Sequence, residues 1–397
     1  MKKRVYVAGA GAICAIGNSL PETLRAFQSK TSGIGHITRL DSIHKGVLPV
    51  GEVKLSNEEL ATTTRQLPMT RTALLGIHAA QEALRNADVK TLPHLRTGLI
   101  SATTVGGMDL TENFFGEFLK NPSRGRLRNV VNHECGKSTE LIADALQIRN
   151  YVSTINTACS SSVNSIIFGT KLIQRGMLDI VVAGGTDALT KFTLNGFNSL
   201  MILDKEPCRP FDASRAGLNL GEGAGYLVLV SDTVLRDQKL NAKAYVSGFA
   251  NTNDAFHQTA SSPEGRGSYN AMLQALQVAE LKPADIDYIN LHGTGTVNND
   301  QSEGTAVKRM FGHKVPKLSS TKAFTGHTLG ACGGVEAAFS VMAIEHQCVF
   351  PNLRFTQPMP DIDLTPQQDF ESMAVNHVMS NSFGFGGNCS SVIFSRA

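Results

Sequence analysis

Alternation of apolar and polar positions in Val5-Tyr6-Val7 predicts a strand from Arg4 to Ala8, running into a glycine-rich turn at Gly9-Ala10-Gly11. Ser19 and Glu22 have capping-box spacing with Pro21 in the first turn, so a helix is expected from there to about Ser29. Residues 31–68 carry little regular pattern and read as surface excursions. Thr70 to Asn86 is amphipathic, with Leu74, Ile77 and Leu84 on one face, and Thr97 to Ser101 is a following strand. Thr104-Val105-Gly106-Gly107-Met108 reads as a turn where the backbone comes close to another element. In Ser153–Leu172 a short extended run reaches the small-residue turn Thr157–Ser162, and a helix with Val163, Ile166, Ile167 and Leu172 inward follows. Apolar strands are expected at Leu178–Ala183, ending at Gly184-Gly185, and at Tyr226–Val230.

The second half repeats this order. Ser268–Glu280 is helical, Leu281-Lys282-Pro283-Ala284-Asp285-Ile286 echoes Leu84-Arg85-Asn86-Ala87-Asp88-Val89, and a strand follows in both places. Leu318–Thr321 leads through Lys322 and Gly326-His327 to a helix at Gly334–His346, as Ser153-Thr154 leads through Cys159 to its own. Two similar halves, 1–235 and 236–397, are expected. If a pseudo-twofold relates them, Cys159 and His327 open equivalent helices that face one pocket.

Composition narrows the class. The 397 residues are 42% hydrophobic and 6% aromatic, enough for a large core, and 37 glycines fit many strand–helix turns. A net charge of +3 does not indicate nucleic acid or membrane. Seven widely spaced cysteines without a C-x-x-C pair argue against a disulfide framework or a zinc site. The basic start Met1–Arg4 raises the question of a signal peptide, but glycines at 9, 11 and 17 break the apolar run. No later stretch is long and apolar enough to span a bilayer, so a protein of the reducing cytoplasm is expected. A dinucleotide fingerprint at the first turn lacks its glycine, because Cys14 stands there.

Candidate chemistry centres on Cys159. Helix-start N–H groups and the dipole should ease loss of its proton, whereas the bland alternative is an inert buried thiol. His292 ends the apolar run Ile286–Leu291 and precedes Gly293-Thr294-Gly295-Thr296, where a substrate can approach the backbone. One helix-start thiol with two histidines beside glycines favours catalysis. A thiolate can hold an acyl group, helix-start N–H groups can bind the oxyanion, and two neutral imidazoles can stabilise an enolate from a decarboxylating malonyl thioester. A cysteine hydrolase using one histidine as base stays open. Lys120, Arg124, Arg126 and Arg128 form a basic cluster that is either a solvated loop or a surface for an acidic partner.

Together the motifs resemble the elongating β-ketoacyl-acyl carrier protein synthases of the thiolase superfamily, over essentially the whole chain. They are Thr157-Ala158-Cys159-Ser160-Ser161, Arg209-Pro210-Phe211-Asp212, Gly221-Glu222-Gly223-Ala224-Gly225, His292-Gly293-Thr294-Gly295-Thr296, Lys322 with Gly326-His327, and Asn381-Ser382-Phe383-Gly384-Phe385-Gly386-Gly387-Asn388. The resemblance implies an α/β, five-layered α-β-α-β-α thiolase-like fold of two pseudo-repeated halves, normally a homodimer, with a heterodimer as the other arrangement. It makes Cys159 the acylated nucleophile and His292 and His327 the decarboxylation pair. Lys322 supports the histidines, with Glu303 and Asp300 in the same network.

By the same resemblance, N–H groups of Cys159 and Phe385 form the oxyanion hole, Phe385 is a gate beside Phe383, and Val105 lines the acyl pocket. No metal or cofactor follows. Acyl and malonyl groups would arrive on the phosphopantetheine arm of an acyl carrier protein, for which Arg65, Arg71, Lys120, Arg124 and Arg126 are docking candidates. The His-His pair points to the elongating branch, and Cys389 reads as structural. Arg215–Leu220 lacks the family's Asp and Phe. A specialised polyene or polyketide synthase with a dedicated carrier protein, and a non-catalytic partner subunit, therefore stand beside fatty-acid elongation.

Overall fold

A computed structural model describes residues 3–89 and 95–397; Met1 and Lys2 of the basic start lie outside them. Ile34–Gly35 with Val50–Gly51 and Cys348–Val349 with Glu371–Ser372 make two small two-stranded sheets, and ten strands form one large sheet in two groups of five. In the first the order is Tyr151–Ile155, Thr97–Ala102, Ile180–Asp187, Gly223–Ser231, Val5–Cys14. In the second it is Lys317–Ser319, Tyr288–Asn290, His377–Phe383, Asn388–Arg396, Ala244–Asn253. Counted from its own first strand, each group reads third, second, fourth, fifth, first. Among the described residues the two are continuous through the pairing of Tyr6 with Tyr245 and Val7 with Ala244.

Between the groups lie the helices Ser161–Gln174 and Cys332–His346, each packed on strands of both. Arg71–Ala87 covers the outer face of the first group and Arg266–Ala279 that of the second. Helix, sheet, helix pair, sheet and helix make the five layers of a thiolase-like fold. Layer position explains the sequence patterns. The outer helix Arg71–Ala87 is amphipathic, whereas Cys332–His346 is buried on every side from Cys332 to Ile344.

Two expectations about glycine need correcting. Gly9-Ala10-Gly11 is not a turn: the strand runs on to Cys14, and side chains at Gly9 and Gly11 would stand 2.2 Å from Ala83 O and 2.3 Å from Ala79 O. These glycines let the covering helix lie directly on the strand. Gly184-Gly185 likewise lies inside a strand, which continues to Asp187. Residues 31–68 are not wholly irregular, because Asn57–Thr64 is a helix closed by a Ser56/Glu59 capping box. A further helix, Met108–Lys120, follows the Thr104–Met108 turn and buries none of its residues.

Candidate active site

Cys159 follows Ala158, whose φ of 52° is left-handed, in a strand–turn–helix corner. Ser161 Oγ braces the corner, accepting from Thr157 N at 2.8 Å and donating to Ala158 O at 2.5 Å. The helix proper begins at Ser161. His327 does not open its helix as closely as expected: it lies between the short helix Lys322–Thr325 and a turn at Leu329–Ala331, and the long helix starts at Cys332. The pocket nonetheless forms. His327 Nε2 is 3.1 Å from Cys159 Sγ, and the His292 and His327 rings are 5.4 Å apart, edge to face.

Second contacts determine the protonation of both rings. Leu329 N donates to His327 Nδ1 at 3.1 Å, so that nitrogen is an acceptor and the proton sits on Nε2. Lys322 Nζ lies 3.3 Å from His292 Nδ1 and 2.5 Å from Glu336 Oε1. An ammonium at that place makes Nδ1 the acceptor and leaves the His292 proton on Nε2 as well. Burial first, then the Lys322 charge, holds both imidazoles well below the ordinary histidine range, so both are neutral near pH 7. Burial is the largest influence on Lys322 and opposes its charge, but Glu336, Cys332 and Glu303 together more than offset it, and Lys322 stays above the ordinary lysine value.

Cys159, His292 and His327 bring potential ligand atoms within 4.8 Å of one another. With protons on both Nε2 atoms, this set donates hydrogen bonds rather than lone pairs to a metal. In the neighbouring cluster of His292, Cys332 and Glu336, the Lys322 ammonium already contacts the imidazole and the carboxylate.

The thiol departs from expectation. Burial, the largest influence, pushes Cys159 up to about 11, although the Lys322 charge and the N–H groups of Phe385 and Cys159, both directed at the sulfur, act the other way. Desolvation exceeds these lowering influences in a site where Cys159 is 7% exposed. Alkylation of Cys159 by iodoacetamide is therefore expected to rise roughly tenfold per pH unit up to about pH 10. A plateau at or below pH 9, followed by mass spectrometry of the labelled peptide, would contradict this.

The remaining candidates sort clearly. Glu303 accepts from His292 N at 2.9 Å and Gly293 N at 2.8 Å; burial pushes it up to about 7. It holds the histidine's backbone, while the ion-pair partner of Lys322 is Glu336, which the motif reading omitted. A lone carboxylate in the otherwise apolar run Cys332–Ile344 was the available signal. Asp300 accepts from Phe211 N at 2.8 Å and Gly295 N at 3.2 Å, so it shapes the loop after His292 rather than touching the imidazole.

A cavity of about 360 Å³ is lined by Cys159, both histidines, Phe383 and Phe385. Phe385 stacks on Phe197 with centroids 5.9 Å apart, and Phe383 meets the His292 ring edge-on at 6.0 Å. Val105 does not line this cavity. It lies in an adjoining apolar cluster with Leu189, Leu218 and Leu329, against which Phe197 packs. Arg65, Lys120, Arg124 and Arg126 are exposed. Arg71 is not a docking residue: it is 9% exposed, paired to Glu222 at 2.7 Å, and its guanidinium also reaches Asn57 and the Val53 and Leu55 carbonyls.

Fold and site together define an acyl-transferring enzyme of the thiolase-like condensing class. Residues 2–234 match the family model "Beta-ketoacyl synthase, N-terminal domain" and residues 243–356 match "Beta-ketoacyl synthase, C-terminal domain". The chain belongs to the beta-ketoacyl synthase family. The 3-oxoacyl-(acyl-carrier-protein) synthase 2 of Staphylococcus aureus (strain COL) is 35% identical, covering 99% of this chain and 98% of the relative. A chain of the ishigamide ketosynthase/chain length factor superposes with a TM-score of 0.94 at 29% identity, covering all of both chains. The structure of the ketosynthase ApeO with its chain length factor ApeC from Xenorhabdus doucetiae gives 0.85 at 30% identity, over 100% of this chain and 98% of that one.

Proposed function

We propose that the protein performs decarboxylative Claisen condensation of an acyl thioester with malonyl-acyl carrier protein, as in fatty-acid elongation. The observation that carries this reading is the pair of Nε2–H groups, from His292 and His327, turned to one cavity with Cys159 Sγ. Cys159 attacks the acyl thioester carbonyl, the oxyanion rests on the Cys159 and Phe385 N–H groups, and the carrier thiol leaves with the proton. Malonyl-carrier protein then loses carbon dioxide, and both imidazoles donate to the enolate oxygen that forms. The enolate carbon attacks the acyl-cysteine carbonyl, 3-oxoacyl-carrier protein results, and the sulfur regains a proton. A hydrolase would require one ring to accept the thiol proton, but both cavity-facing nitrogens are donors.

Phe385, stacked on Phe197, is positioned as a gate between this cavity and the apolar cluster around Val105, which would form the acyl side. Arg65, Lys120, Arg124 and Arg126 remain the docking candidates for the carrier protein. Dimerisation is supported by the edge strand Tyr151–Ile155 and by the helix Met108–Lys120, which exposes Phe115, Phe118 and Leu119. No helix among the described residues is long and apolar enough to cross a membrane, and all seven cysteines are free thiols, consistent with work in a reducing cytoplasm. The likeness to ketosynthase/chain length factor structures supports a second reading: a specialised polyene or polyketide ketosynthase, with a heterologous dimer partner and a dedicated carrier.

Incubation with acyl-carrier proteins of several chain lengths and malonyl-carrier protein tests the chemistry. Mass spectrometry should find the acyl group on Cys159 and a product two carbons longer. Free acid without a new carbon–carbon bond would overturn the proposal.

A further inference from the structure

Asp187 ends the strand Ile180–Asp187 and is fully buried, and nothing in the condensation above uses it. Its carboxylate accepts from Thr103 Oγ1 at 2.6 Å, Thr104 N at 2.9 Å, Thr104 Oγ1 at 2.8 Å and Val105 N at 3.0 Å. A fifth donor comes from the opposite side, Gly330 N at 2.7 Å. Only a carboxylate can accept from five donors without offering a proton of its own. Such a group ties two loops together more firmly than apolar packing would.

Gly330 belongs to the turn Leu329–Ala331, where Leu329 has a φ of 54°. Leucine keeps that left-handed conformation only where its surroundings hold it. The N–H of this same Leu329 is the donor to His327 Nδ1. Leu329 and Val105, at the two ends of the tie, also share one apolar cluster.

We propose that Asp187 is a positioning residue for His327. By gripping Gly330 it holds Leu329 in its left-handed turn, keeps the Leu329 N–H on Nδ1, and so fixes the His327 proton on Nε2, facing Cys159. Through Val105 it fastens the same turn to the apolar wall beside the cavity. The effect on turnover rests on the condensation proposed above; the effect on the tautomer does not.

Two variants test the grip from opposite ends. Asp187→Asn turns an amide N–H₂ toward groups that are themselves donors. Gly330→Ala keeps the carboxylate but places a Cβ 2.9 Å from Asp187 Oδ2 and 2.9 Å from Thr104 Cγ2, forcing them apart. Nitrogen-15 NMR of histidine-labelled protein, with His327 assigned by its loss in His327→Gln, should show a single Nε2–H form in the unaltered chain and a mixture in both variants. Condensation kcat should fall about tenfold to a hundredfold, while acylation of Cys159 by a small thioester stays within about threefold.

A single Nε2–H line retained in either folded variant would overturn the assignment, as would equal losses of acylation and condensation. If Asp187→Asn does not fold, Gly330→Ala carries the test alone. Absence of any condensation product from the unaltered chain would instead count against the proposed reaction and leave the tautomer result to be read by itself.

Discussion

Cys159→Ala should carry no acyl group after incubation with acyl-carrier protein, and condensation should fall by about 10⁴-fold or more. Release of carbon dioxide from malonyl-carrier protein should survive in this variant. The two Nε2–H donors are set by Leu329 N and Lys322 Nζ, not by the sulfur. His327→Ala should behave in the opposite way. Its Cys159 keeps the Phe385 and Cys159 N–H groups and still becomes acylated, but the enolate loses one of its two donors, and condensation drops about 10²- to 10⁴-fold. Mass spectrometry of the protein, paired with carbon dioxide release, separates the two steps. An unacylated His327→Ala protein would mean that His327 activates the thiol, and its assignment as an enolate donor would be wrong.

Glu336→Leu should destabilise the protein by about 3–5 kcal/mol, because it leaves the Lys322 ammonium buried without its counter-charge. Lys322 is 1% exposed and Glu336 3%, so water does not replace the lost partner. Lys322→Met combined with Glu336→Leu removes both charges and should recover much of that loss, as apolar replacements of buried pairs commonly do. Activity should not recover with it, because His292 Nδ1 no longer meets a donor and its Nε2 proton is no longer fixed. Urea unfolding and condensation assays on the same three proteins check this. A double variant that regains condensation along with stability would show that the pair is structural only.

Much of the fold was legible from local pattern. The amphipathic period of Thr70–Asn86 and the repeated element order stated the helices and the two-part plan, because burial on one face leaves a periodic trace. Glycine misled where its role was tertiary. Gly9-Ala10-Gly11 has the local look of a turn and Gly184-Gly185 that of a strand end, yet these glycines sit within strands, Gly9 and Gly11 beneath a helix backbone. The Ser56/Glu59 capping box is a local signal for the helix Asn57–Thr64, inside a stretch that otherwise carries little regular pattern. Helix Met108–Lys120 carries an apolar stripe at helical spacing, Leu110, Phe114 and Phe118, yet none of its residues is fully buried.

For the site, the motifs point to the thiol, both imidazoles and Phe385, which line one cavity, and to Lys322, which contacts His292 Nδ1. They did not reveal that Lys322 pairs with Glu336, that Arg71 is spent on Glu222, or that the thiol is harder to ionise than a helix start suggests.

What the amino-acid order determined by itself was the inventory of reactive groups and the local elements that carry them, since periodicity and capping act over a few residues. Tertiary structure decided the rest. Cys159 and His327 are 168 positions apart yet 3.1 Å in space, and the proton on His292 is placed by Lys322, a donor brought from another segment. Desolvation, the largest influence on the sulfur, exists only once the chain has closed around it.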